Sequence, residues 1–347
     1  MAYTTIDNPE LFFQTLLHVG NNTSFTFAGS ENMQPDLIWN KNRDSSGYDH
    51  HIIDSVRGVS KLLRVSSNIA EFTSSDSITA IGSDGFTVGA DSNGYVSSGT
   101  DKQVSWCWKA GGSSSSNSDG SVTSTVSAST TSGFSIARFT GTGSNLTIGH
   151  GLGVKPDFII LKCDSSGSTD WTCYHSSLGA TKRIKLNATE ASSTNSTTWQ
   201  DTEPTTSVIS VGTSGDVNVS SGTHMVYSFA EKKGYSKFGS YVANGNSDNT
   251  FVYTGFKVAF LMTKLSSTSG GGWEIVDSKR DGYNGENNRL YPNDNAAEGT
   301  GNDYDLLSNG FKVRQSGGSQ QSGRTNIYMA FAEAPFVNSN GLPNNAR

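Results

Sequence analysis

The chain has 347 residues, of which 39 are Gly, 54 Ser and 34 Thr, so Ser and Thr together make up about a quarter of it. Only 33% is hydrophobic and 16% charged, with a net charge of −6; this excludes a bundle of long helices and argues against nucleic acid or an anionic membrane as partner. Six Trp, 12 Tyr and 17 Phe still supply enough apolar area for packed cores, so disorder is excluded too.

In chain order, no basic segment precedes the apolar stretch within residues 1–20, and no apolar run approaches ~18 residues. Neither a signal peptide nor a membrane helix is expected. Asn8-Pro9-Glu10 has the order of a helix start: a capping side chain, Pro at the first helical position, then an acid in the first turn. Residues 11–17 predict about two turns with an apolar face. Residues 1–24 therefore read as a short N-terminal helical arm. Its Leu11, Phe12, Phe13, Leu16 and Leu17 would dock on the adjoining domain, on a partner protein or on a symmetry mate.

Beyond the arm, one order of parts occurs three times. An apolar strand opens each copy: Pro35-Asp-Leu-Ile-Trp39, Pro156-Asp-Phe-Ile-Ile-Leu161 and Val258-Ala-Phe-Leu-Met262. An aromatic strand closes it: Val104-Ser-Trp-Cys-Trp108, Met225-Val-Tyr-Ser-Phe229 and Ile327-Tyr-Met-Ala-Phe331. Ile38 to Trp108 spans 70 residues, Ile160 to Phe229 spans 69, and Met262 to Phe331 spans 69. Between these ends lie His51-Ile-Ile-Asp-Ser-Val-Arg-Gly58, Trp171-Thr-Cys-Tyr-His175 and Trp273-Glu-Ile-Val-Asp-Ser-Lys-Arg280. Copies two and three share a lead-in, Gly133-Phe-Ser-Ile and Gly234-Tyr-Ser-Lys; the first is read with a shorter one through Phe25 and Phe27. Five or six short strands with Gly/Asn/Ser turns predict an antiparallel β-sandwich for each copy. Trp106, Trp108, Tyr227, Phe229, Met329 and Phe331 share one face and are assigned to the sandwich core. Cys107, Ser228 and Ala330 lie opposite, small enough to sit under a neighbour.

The fold expected is thus all-β, with three tandem sandwiches at 25–112, 133–232 and 233–347. Residues 113–132, almost wholly Ser, Thr and Gly, read as a linker or surface loop.

Candidate chemistry is sparse. The six His (His18, His50, His51, His150, His175, His224) form neither HExxH nor a zinc spacing, so no metal site is assigned. No Gly-x-Ser-x-Gly occurs, and no catalytic residue is assigned. Asp277, Asp281 and Glu286 are the obvious carboxylate cluster for a glycosidase, with no sequence reason to face one another across a cleft. The segment from Asp281 to Asp305 has the oxygen ligands and Gly of a calcium loop without its spacing, and reads equally well as a polar loop; no cofactor is required. Asp54/Arg57 and Asp277/Arg280 repeat an acid–base pair three apart, read as a salt-bridged strand end, with a ligand-facing pair as the rival. Cys107, Cys163 and Cys173 form no CxxC and read as buried thiols of a reducing compartment.

Several strings resemble a known family. They include Met1-Ala-Tyr-Thr-Thr-Ile-Asp-Asn-Pro-Glu-Leu-Phe-Phe-Gln14, Pro35-Asp-Leu-Ile-Trp-Asn-Lys-Asn-Arg43, Trp106-Cys-Trp-Lys-Ala-Gly111, Gly234-Tyr-Ser-Lys-Phe-Gly239 and Tyr328-Met-Ala-Phe-Ala-Glu-Ala-Pro-Phe336. The chain resembles tail-fibre-like structural proteins of marine bacteriophages, and the resemblance implies concanavalin A/SPRY-like sandwich repeats and a non-enzymatic place on the virion surface. The expected role is host attachment at the tail, with the N-terminal arm of Leu11, Phe12, Phe13, Leu16 and Leu17 fixing the protein to the particle; the alternatives are a capsid decoration or cement protein and a polysaccharide depolymerase. The expected partners are other virion proteins and further copies of the chain as a homo-oligomer, with no nucleic acid and no inserted membrane. A host cell-surface glycan would stack on Tyr48, Tyr283 and Tyr291, which read equally well as ordinary loop residues.

Overall fold

A computed structural model describes residues 4–20, 23–280 and 284–336. Short runs of alternating residues between Gly, Asn and Ser turns produce strands throughout, and among the described residues the ladders between these strands are antiparallel. Three large sheets dominate, and their strand orders match. The first runs Phe13–Val19, Lys102–Trp108, Leu37–Asn42, His51–Asp54, Lys61–Arg64, Phe72–Thr73. The second contains Phe134–Thr140, Thr223–Phe229, Phe158–Cys163, Thr172–His175, Lys182–Lys185, Ser193–Thr194. The third runs Ser236–Val242, Thr325–Pro335, Phe256–Leu265, Trp273–Asp277. In each, the aromatic closing strand lies between a lead-in strand and the apolar opening strand.

Each large sheet has two buried faces. One covers a smaller sheet: Ile38, Ile53 and Cys107 pack with Ile78, Phe86 and Val88, and the second and third segments have matching clusters. The other face joins a cluster shared by the whole molecule. Its buried residues include eleven from each segment. At its centre Trp108, Phe229 and Phe331 meet edge-to-face, with centroids 6.1, 6.0 and 5.6 Å apart and interplanar angles of 65–69°. Each such pair adds about 0.5–1.5 kcal/mol to the area it buries. The wide aromatics thus fill the space between the three large sheets, whereas Cys107, Ser228 and Ala330 face each segment's own smaller sheet. This reverses the expected assignment: a gap bordered by three sheets needs long side chains, while a face against a closely apposed layer takes small ones.

The N-terminal helix is also corrected. Asn8 does cap a turn, its Oδ1 accepting from the Glu10 N–H at 3.1 Å, but the turn is 3-10 and ends at Leu11. Phe13–Val19 is a strand, paired along its length with Lys102–Trp108. A two-turn helix is marginal by itself, and the closing strand offers a full ladder in its place. This strand is the first sheet's lead-in; Ser24–Phe25 belongs instead to the smaller sheet with Gly85–Val88. A boundary at residue 24 would separate the sheet from its own strand.

Residues 113–132 are likewise no loose linker. Ser115–Asn117 and Ser124–Ser129 extend the second sheet to eight strands, and Val122 bridges to Ile148. Val126 is buried among the second segment's apolar residues. A Cβ added at Gly111 would lie 2.5 Å from the Ala128 carbonyl oxygen, so this position tolerates no side chain.

Candidate functional site

A set of buried ionisable residues lies at the three seams where the large sheets meet. At the first, the Tyr227 hydroxyl of the second segment donates to Asp54 Oδ2 of the first at 2.7 Å. At the next, Trp106 Nε1–H of the first segment donates to Asp277 Oδ2 of the third at 2.9 Å. Tyr227, Trp106 and Met329 occupy matching positions in the closing strands. Met329 has no proton to donate, and at its seam the carboxylate is replaced by His175, whose Nε2 donates to the Tyr328 carbonyl at 3.1 Å. Its Nδ1 accepts from the Ser177 N–H, which sets the tautomer.

Both carboxylates are buried and paired. Arg57 Nε lies 2.6 Å from Asp54, its Nη1 reaches Glu71 at 3.3 Å and its Nη2 donates to the Ile52 carbonyl. Arg280 repeats the pattern with Asp277 at 2.6 Å, Glu298 at 2.9 Å and the Ile275 carbonyl. Glu298 also accepts two bonds from Arg43, at 2.8 and 2.9 Å. In the middle segment the Arg position is held by Leu178, which packs on the shared core, and the Glu position by Ser192. Acid, base and second acid are thus replaced together, so no charge is stranded in the interior.

Backbone bonds complete each seam. Glu71, Ser192 and Glu298 donate their N–H groups to the carbonyls of Asp164, Ser266 and Arg43, at 2.7, 3.0 and 2.8 Å. Trp171 Nε1 donates to the Arg64 carbonyl and Trp273 Nε1 to the Lys185 carbonyl, each at 2.8 Å. Three matching lysines, Lys41, Lys162 and Lys264, are fully buried. Lys162 donates to the Asn68 carbonyl across one seam and Lys264 to the Glu190 carbonyl across another. Burial pulls all three ammonium groups down to about 8, opposed by nearby acids. The same desolvation holds His175, His18 and His224 at about 4 and His51 at about 3.

These placements account for most of the sequence candidates. Phe13 and Leu16 are buried, Leu11 and Phe12 half-buried, and only Leu17 is exposed. Asp277 lies inside a seam and Glu286 at the surface, so they do not converge on a cleft; Asp281 and Tyr283 lie outside the described residues. Asp303 is held by Arg289 at 3.0 Å, and among the described residues no three metal-ligating side chains come together. The three cysteines are free and buried. Tyr291 is half-buried, with its hydroxyl pushed up by burial. Tyr48 forms part of a polar cleft of about 290 Å³ in the first segment, with Ser92, Asn93, Ser97 and Ser98 among its walls; Ser98 Oγ donates to the Tyr48 hydroxyl at 2.9 Å. Among the described residues no helix is long and apolar enough to cross a membrane.

A family model described as a domain of unknown function, DUF7483, matches residues 8–335. The chain belongs to the DUF7483 family. The match begins at the Asn8 cap and ends at the last residue of the third closing strand. A DUF7483 domain therefore comprises all three large sheets and the seams between them. No curated protein matches the chain. The seam network escaped the sequence reading because its partners are far apart: Tyr227 lies 173 residues from Asp54 and Trp106 lies 171 from Asp277. One signal was available, the exchange of Asp for His at position 175, in step with a Met in place of Tyr or Trp at position 329.

Proposed function

We propose that this protein is a non-enzymatic structural component of a bacteriophage particle. In this reading it is made of three copies of one concanavalin A/SPRY-like sandwich, and it serves at the tail surface in host attachment. The observation that carries the reading is the use of buried ionisable groups to join the sheets: the Asp–Arg–Glu sets, the neutral His175, Lys162 and Lys264 all satisfy seam contacts. A body held in this way is rigid and carries little charge on its surface, as suits a building block of a particle. The matching strand orders and seam positions support descent from one repeated unit.

The polar cleft beside Tyr48 supports contact with a host-surface glycan, since a tyrosine ring beside Ser and Asn side chains can stack on a sugar and bond its hydroxyls. Phe13 packs against Phe331, so of the expected attachment residues the exposed Leu17 and the half-buried Leu11 and Phe12 remain for contact with the particle. Counting chains per virion tests the assignment: a few to a few dozen copies support the tail, and hundreds would transfer it to capsid decoration. Release of reducing ends from host envelope would instead establish a depolymerase. Loss of host-envelope binding in Tyr48→Ala, with an unchanged melting curve, would support the cleft.

A further inference from the structure

The outer edge of Phe13–Val19 has no strand beside it among the described residues, because this strand terminates the first large sheet. Gly20 donates to Asp101, and Lys109 donates to Phe12. Bonded and non-bonded pairs alternate along an antiparallel ladder. Residues 12, 14, 16, 18 and 20 therefore turn their backbone groups toward Lys102–Trp108, and Phe13, Thr15, Leu17 and Val19 turn theirs outward.

In the second sheet the matching outward positions are occupied. Ser129, Ser127 and Thr125 pair with Phe134, Ile136 and Arg138. The flanking side chains differ accordingly. Where the edge is covered, Leu17 is matched by Arg138, and Val19 by Thr140 one residue beyond the covering strand. Where it is open, Leu17 and Val19 stand 40% and 47% exposed. None of the four outward residues is charged, so the edge lacks the lysines or prolines with which sheets deter unwanted pairing. A cleft of about 240 Å³ runs beside it, with Thr15, Leu17, Ala28, Gly29 and Ala259 among its walls. Ala28, Ala259 and Ala332 leave room for short side chains, while Glu10, Lys279 and Glu333 at the cleft's walls carry charges of both signs.

We propose that this edge receives an extended strand from another polypeptide, uncharged and composed of small and β-branched residues, in the antiparallel register that Ser124–Ser129 adopts on Phe134–Thr140. The covered edge in the same molecule specifies the chemistry of the guest: Ser124-Thr-Val-Ser-Ala-Ser129 is such a segment. Main-chain bonds would supply affinity and the cleft selectivity.

The test uses the full chain and a displayed library of nine-residue peptides composed of Ser, Thr, Ala and Val. Leu17→Pro serves as control, because its N–H points outward and proline removes no bond to Lys102–Trp108. Selection should enrich peptides that bind the unaltered chain at least tenfold more tightly than Leu17→Pro. A bound peptide should slow amide exchange at Thr15, Leu17 and Val19 at least tenfold. If Leu17→Pro does not fold, Leu17→Lys/Val19→Lys replaces it, since both side chains are exposed. Failure to enrich any peptide, equal binding to both proteins, or unchanged exchange at those three amides would overturn the proposal. So would self-association in sedimentation that the control abolishes, which would assign the edge to a second copy.

Discussion

Two kinds of seam hold the large sheets together. Those containing Asp54 and Asp277 are ionic: an aromatic N–H or O–H meets a carboxylate already held by an arginine. The seam containing His175 is neutral, with an imidazole donating to a backbone carbonyl and Leu178 filling the arginine's place. The contrast teaches that the acceptor is retained where the facing residue donates, and that the ions come and go as a set. A lone carboxylate opposite Met329 would be buried without a hydrogen bond from its neighbour, at a cost of several kcal/mol.

This contrast can be broken most severely by taking one ion from a set. Asp277→Ala or Asp54→Ala removes the nearest ion partner of a buried guanidinium and leaves the facing aromatic donor unpaired, and should cost about 3–5 kcal/mol, whereas His175→Ala removes a neutral hydrogen bond and should cost about 1–3 kcal/mol; denaturant titration of the three variants gives the ranking. Converting an ionic seam into a neutral one sharpens the point. Tyr227→Met, Asp54→His, Arg57→Leu and Glu71→Ser combined should fold, and should lose less stability than Asp54→Ala alone. A larger loss would mean that the members of the set act independently. Tyr227→Phe removes one hydrogen bond to a charged group and should cost about 1.5–3 kcal/mol.

A further expected effect is on pH dependence. His175 titrates at about 4 in the folded chain, against an ordinary 6.5. Because its folded pKa is depressed, the unfolded chain binds the proton first as pH falls. Its contribution is present above pH 6.5 and is lost between 6.5 and about 4. His175→Gln should flatten that limb of a stability–pH curve by one proton's share. An unchanged slope would show that His175 is already protonated when folded.

Strand content and the matching closing strands were legible because both rest on local patterns: period-two alternation, turn residues and constant spacing. The direction in which an alternating strand faces was not. Trp106 and Trp108 were placed on one face correctly, but only the positions of Phe229 and Phe331, more than a hundred residues away, reveal that this face looks toward the other segments. The strand Ser124–Ser129 was hidden by composition, although Val122, Val126 and Ala128 preserve the parity of a strand. At residues 11–17 the cap at Asn8 was read correctly, and tertiary pairing then overrode the helix it begins. The acid–base pairs were legible as salt bridges, but their aromatic donors were not.

The shared core, to which each segment contributes equally, has a thermodynamic consequence. A private core lets a module melt by itself, whereas a common one removes that option: losing any segment exposes the aromatic faces of the other two. Heating should therefore produce a single endotherm, with calorimetric and van't Hoff enthalpies equal for the whole chain, in place of three overlapping transitions.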